Sequence, residues 1–82
     1  NIAIMNLDKI QSFLDKKNIK SGEIISTELL KKLKLINKNS QKLKILGTGE
    51  IKDKVNIKAD LISKSAQEKL VKVGGSVQLK ND

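Results

Sequence analysis

The 82-residue chain contains no cysteine, no histidine, no arginine, no proline, no tyrosine, no tryptophan and a single phenylalanine. Each gap removes a class of explanation. Without cysteine there is no disulfide framework and no direct clue to the redox compartment. Without cysteine or histidine, zinc sites and the usual nucleophilic triads are excluded, so neither a metal nor another cofactor is expected. Reading a guanine edge is mostly the work of arginine, and single-stranded RNA modules stack bases on aromatic rings, so base-specific recognition has little to build on. No run approaches the roughly 18 apolar residues of a membrane span, and no membrane partner is expected. The opening Asn1-Ile2-Ala3-Ile4-Met5-Asn6 is too short and uncharged for a secretory signal. It also lacks a Met at position 1, so the chain reads as a piece of a longer protein.

What remains is aliphatic and cationic. Hydrophobic residues make up 38% of the chain, almost wholly Ile, Leu and Val. That is enough for one small domain, 1–82, with a thin stability margin that docking on a partner would widen. The net charge is +8, with every cation a lysine, and the halves 1–41 and 42–82 each carry +4. Charge spread so evenly is not a disordered basic tail. It suits a folded body lying against a polyanion, with ammonium groups on phosphates and released counterions. Composition alone leaves that reading level with a lysine surface that is merely solvated.

Periodicity organises the chain into a mixed α/β domain. Ile2 to Met5 is β-prone, and Asn6 is placed to cap a helix with its side-chain oxygen. Leu7, Ile10 and Leu14, widened by Phe13, predict an amphipathic helix from Leu7 to about Lys16, with Asp8 in its first turn and Lys16 and Lys17 in its last. Asn18 to Gly22 has turn character, and Glu23 to Ile25 is a short strand candidate. Ser26 or Thr27 caps a second helix that buries Leu29, Leu30 and Leu33. Lys38 to Gln41 reads as a loop.

Lys42 to Leu46 and Val55 to Ala59 both alternate with period two. Leu43, Ile45, Val55, Ile57 and Ala59 then face the core. Lys42, Lys44 and Lys58 share the opposite face, with Lys52 and Lys54 at the connection between the strands. A last helix starts at Ser63 to Ser65, with Ala66, Leu70 and Val73 on its buried side and a Glu68–Lys72 pair outside. Gly74 suits a left-handed C-cap, and Ser76 to Leu79 alternates as a final strand.

Two motifs invite sharper chemistry and do not support it. Gly47-Thr48-Gly49 lacks the Gly-Lys-Ser/Thr ending and the following helix that a phosphate loop needs, and reads as a hairpin turn or bulge. Ser63-Lys64-Ser65 is better explained by capping than by a Ser-Lys nucleophile pair, because neighbouring residues do not face each other on a helix. Lys64 is still placed to meet a phosphate beside the helix N-terminus. The acids Asp8, Asp15, Glu23, Glu28, Glu50, Asp53, Asp60, Glu68 and Asp82 are scattered rather than paired. No enzyme activity and no small-molecule substrate are expected.

Blocks of residues in a fixed order carry a resemblance. Lys44-Ile45-Leu46-Gly47-Thr48-Gly49-Glu50-Ile51, Val55-Asn56-Ile57-Lys58-Ala59, Ile62-Ser63-Lys64-Ser65-Ala66 and Gly74-Gly75 follow one another in an order that resembles the C-terminal domain of bacterial-type large ribosomal subunit protein fifteen. Met5-Asn6-Leu7-Asp8 with Phe13, and Ile25-Ser26-Thr27-Glu28-Leu29-Leu30 with Leu35-Ile36, agree upstream. Family members often carry a proline just after the second cap and a glycine before the Leu-Ile pair. Here Glu28 directly follows Thr27, and Lys34 stands in place of the glycine.

The resemblance implies an irregular winding of strand-strand-helix units, with three helices and a small sheet. It also implies a structural constituent of a cytoplasmic bacterial ribosome, or an organellar one. Its implied partners are 23S-type rRNA and neighbouring ribosomal proteins, its implied role late subunit assembly, and its basic N-terminal arm would lie outside this chain. Lys42, Lys44, Lys52, Lys54, Lys58 and Lys64 are the candidate phosphate contacts. The alternative is a protein-interaction module whose lysines are only solvated.

Overall fold

The computed structural model describes residues 1–20 and 22–80. Ser21, within the expected turn, and the acid Asp82 lie outside the described residues. The elements are β1 (Ile2–Asn6), α1 (Leu7–Asp15), β2 (Ile24–Ile25), α2 (Thr27–Lys32), β3 (Lys42–Leu46), β4 (Asn56–Ala59), β5 (Leu61–Ile62), α3 (Lys64–Lys72) and β6 (Ser76–Leu79). They form two three-stranded sheets, ordered β1-β3-β5 and β2-β4-β6, and every pairing is parallel.

Successive strands alternate strictly between the two sheets, so the chain winds through three turns, each adding one strand to each sheet. α1 and α3 occupy equivalent places in the first and third turns. In the middle turn the loop 47–55 takes that place. The core between the sheets is aliphatic: Leu7, Ile10, Ile25, Leu30, Leu43, Ile45, Ile57 and Leu70 are all but inaccessible to solvent. The alternation in β3 and β4 puts Leu43, Ile45, Ile57 and Ala59 inward as the period-two pattern requires, and Val55 is buried just before β4.

The mixed α/β class, the three helices and the winding agree with expectation, and the hairpin does not. β3 and β4 belong to different sheets, so Gly47 to Gly49 cannot be the turn of a two-stranded antiparallel pair. Alternation reports which residues point inward, but it is blind to which strand lies alongside. β5 was too short to show in the pattern, and Ile19 and Ile51, on connecting segments, are core residues. The Glu68–Lys72 pair does not close. Among the described residues the one ion pair is Lys80–Glu28 at 3.4 Å, which ties the end of β6 to the start of α2.

Helix starts follow the sequence at α2 and α3 but not at α1. Ser26 accepts from the Leu29 amide and Ser63 from the Ala66 amide, each at 3.2 Å. Asn6 occupies the cap position of α1, but its side chain accepts nothing from the helix, and its Oδ1 is buried without a partner. The Asp8 amide donates instead to the Thr48 carbonyl at 3.3 Å, so a distant turn does the capping. The Glu28 carboxyl in the first turn of α2 is held below its usual range, chiefly by its own backbone amide and then by Lys80. A depressed carboxylate stabilises the fold above its unfolded pKa and loses that contribution as pH falls through the folded value. Being exposed, Glu28 contributes little.

All three helices end alike. After α1, Lys17 N–H donates to Leu14 and Asn18 N–H to Phe13. After α2, Lys34 donates to Lys31 and Leu35 to Leu30, and after α3, Gly74 donates to Val71 and Gly75 to Leu70. This is the Schellman arrangement, with its left-handed residue at φ 63° in Lys17, 61° in Lys34 and 80° in Gly74. α2 therefore stops where a glycine would have stopped it, in a lysine that tolerates the strain. Likewise α1 ends at Asp15, leaving Lys16 as C-cap rather than in the last turn. Lys17→Gly and Lys34→Gly are each expected to raise stability by about 0.5–1 kcal/mol, measured as a higher urea midpoint with unchanged slope.

Candidate nucleic-acid interface

The candidate lysines do not form one surface. Lys42 and Lys44 project from the outward face of the β1-β3-β5 sheet, opposite in register to Ile2 and Ile4, with Leu61 beyond Lys44. Lys58 projects from the other sheet, beside Gln78 and in line with Asn56 and Ser76. The expectation that Lys42, Lys44 and Lys58 share a face is thus corrected, and the reason is the same as for the hairpin: β3 and β4 do not pair.

Lys52 and Lys54 are exposed on the loop 47–55, and this loop is the best organised basic element. Gln11 on α1 accepts from the amides of Lys52 at 2.8 Å and Asp53 at 3.3 Å, and its Nε2 donates to the carboxylates of Asp15 and Asp53, each at 2.9 Å. Lys69 on α3 donates to the carbonyls of Gly47 at 2.8 Å and Gly49 at 2.7 Å. Thr48 caps α1, and Ile51 and Val55 anchor the loop in the core. Gly47 lies so close to the start of α3 that a Cβ would overlap Ser65 and the Ala66 amide.

Lys64 is the first residue of α3, beside that glycine turn, whereas Lys54 passes near Gly74 just beyond the end of α3. Lys54 and Lys64 are therefore separated by roughly the length of a nine-residue helix, about 13 Å.

Two residues that hold this surface were not among the candidates. Gln11 had a signal, because it sits with Leu7, Ile10 and Leu14 at i, i+3, i+4 and i+7, and a polar side chain on an apolar stripe marks a buried hydrogen-bonding anchor. Lys69 had none, since its two acceptors are backbone carbonyls some 20 residues upstream. Gln11→Ala is expected to lower stability by about 2 kcal/mol and to speed hydrogen exchange at the Lys52 and Asp53 amides, because two backbone donors lose their side-chain acceptor.

Among the described residues no group of three or more acidic side chains could hold a metal ion, and no helix is long and apolar enough to cross a membrane. What the surface offers is a set of point charges on rigid backbone, with no ring to stack on a base. The one aromatic side chain, Phe13, is half-buried, with the Lys9 ammonium 5.6 Å from its ring centre.

Comparison with known proteins gives this surface a context. A family model that groups the ribosomal proteins 50S-L15 and 50S-L18e with a counterpart from the 60S subunit matches residues 4–78. The chain is 77% identical over 79 residues to the large ribosomal subunit protein uL15 of Pelagibacter ubique, covering 96% of this chain and 52% of that protein. It is 40% identical over 77 residues to the protein of the same name from Borrelia garinii, covering 94% of the chain and 50% of the relative. The corresponding protein of Prochlorococcus marinus strain MED4 is 38% identical over 82 residues, covering all of the chain and 50% of the relative. The chain spans about half the length of the curated relatives it matches.

Proposed function

Because the chain belongs to the family that groups ribosomal proteins 50S-L15 and 50S-L18e with their 60S counterpart, we propose that it is the globular part of a structural constituent of the large ribosomal subunit. It packs on 23S-type rRNA through lysine–phosphate contacts and supports subunit assembly beside neighbouring ribosomal proteins. The relatives described above come from bacteria, which favours a bacterial ribosome. The observation that carries the RNA contact is the loop 47–55. Its backbone is pinned by Gln11, Lys69 and the α1 N-terminus while Lys52 and Lys54 stay exposed. A charge presented on a fixed backbone meets a phosphate without first losing loop entropy. Lys64 extends the same edge along α3, and Lys42, Lys44 and Lys58 supply contacts on the two sheet faces.

The mechanism is electrostatic and indifferent to sequence. Lysines neutralise phosphates and release counterions, so affinity falls as salt rises. Paired reversals separate the faces. Lys52→Glu with Lys54→Glu is expected to weaken binding to a large-subunit rRNA fragment at least tenfold and to lower incorporation into particles, with an unchanged urea midpoint. Lys42→Glu with Lys44→Glu tests the first sheet in the same way, and Lys58→Glu the second. Affinity that stays constant from low to moderate salt, or incorporation untouched by every reversal, would rule the reading out.

A further inference from the structure

We propose that the free edge of β1 receives an extended protein segment of alternating aliphatic and acidic side chains, which adds a fourth strand to the β1-β3-β5 sheet. β1 pairs with β3 over all five residues, and on its other side no hydrogen bond reaches its backbone among the described residues. Soluble proteins protect such an edge with charge, proline, a bulge or brevity. Ile-Ala-Ile-Met-Asn has none of these, in a chain of which 32% of residues are charged. The other edge of the sheet, β5, is two residues long and protected by that shortness.

A groove of about 440 Å³ runs along this edge, lined by the whole of β1 and, on its other wall, by Leu35, Ile36, Asn37 and Ser40. Asn6, at the end of the strand, also lines it, and its Oδ1 is buried without a partner. Ile2 and Ile4 are 53% and 60% exposed on the sheet's outward face, where the side chains of an added strand would pack beside them. Backbone pairing supplies the affinity in this mode of recognition, and alternate side chains supply the specificity.

The chemistry of the occupant follows from charge. Lys9 is the one ionisable side chain in the groove lining, and the chain as a whole carries +8. A second copy would bring the same charge and be repelled. RNA has no peptide backbone with which to continue a ladder, and the groove offers its phosphates a single cation, Lys9. An acidic, aliphatic strand satisfies all three features.

The test uses the purified full-length protein and two synthetic six-residue peptides, one alternating Val and Glu, the other alternating Val and Lys. The Val-Glu peptide is expected to slow hydrogen exchange of the β1 amides that point away from β3 at least tenfold, and the Val-Lys peptide to bind at least tenfold more weakly. Ile4→Glu should weaken the Val-Glu peptide at least tenfold with no change in the urea midpoint. Equal binding of the two peptides overturns the proposal. So does protection of those outward amides that is already present in the free protein, that appears on self-association, or that appears only with rRNA. The Lys52→Glu, Lys54→Glu variant should bind the peptide normally, so this proposal and the RNA reading fail separately.

Discussion

Gly75→Ala is expected to lower the stability of this domain by about 3 kcal/mol, read as a fall in urea midpoint and melting temperature. An added Cβ would overlap the Val55 carbonyl oxygen and stand 3.1 Å from the Leu70 carbonyl oxygen and 3.3 Å from the Val55 amide. All three are backbone atoms, so no rotamer change can relieve the contact. The two carbonyl oxygens are also fixed in place by hydrogen bonds, since Gly75 N–H donates to Leu70 and Ser76 N–H to Val55. The neighbouring Gly74→Ala separates sterics from conformation. A Cβ at Gly74 meets only the Lys54 side chain, at 4.0 Å, and its cost arises from φ +80°, worth about 1 kcal/mol. Equal losses at the two positions would show that the close approach at Gly75 is not what its glycine serves.

Leu70→Ala is expected to cost about 3 kcal/mol as well, for a different reason. The side chain is fully buried on the inward stripe of α3 with Ala66, and its loss leaves a cavity in a packed aliphatic core. Val71→Ala, one residue on and largely exposed, should change stability by less than about 0.5 kcal/mol. Against a margin of about 5–15 kcal/mol, each of the two large changes should raise the unfolded fraction about a hundredfold. Combining Gly75→Ala with Leu70→Ala should not restore stability, since the atoms that the new methyl group at position 75 would strike belong to the backbone rather than to the Leu70 side chain.

The legible parts of the molecule were those whose cause is local. Leu7, Ile10 and Leu14 announced α1, Ser26 or Thr27 and Ser63 or Ser65 announced two caps that Ser26 and Ser63 supply, and Lys42 to Leu46 announced β3 with Leu43 and Ile45 inward and Lys42 and Lys44 outward. Gly74 announced the end of α3, and the same motif formed at Lys17 and Lys34 without glycine, because a few well-placed hydrogen bonds outweigh about 1 kcal/mol of backbone strain. The illegible parts depend on partners far along the chain. Asn6 looked like a cap and is not one, since Thr48 takes the amide it would have served.

Family membership, a cationic surface without base-reading side chains, and an aliphatic core at helical and strand spacing were all determined by the order of residues alone. Tertiary structure decided that β3 and β4 join different sheets, and so that Lys42 and Lys44 face away from one sheet and Lys58 from another. It decided that Gln11 and Lys69 hold the loop bearing Lys52 and Lys54, and that among the described residues the outer edge of β1 pairs with nothing. The physical reason is range. Periodicity, capping and charge act over a few residues and are written where they act, whereas strand pairing and buried hydrogen bonds join segments roughly 20 to 40 residues apart, and only the winding of the whole chain chooses among those partners.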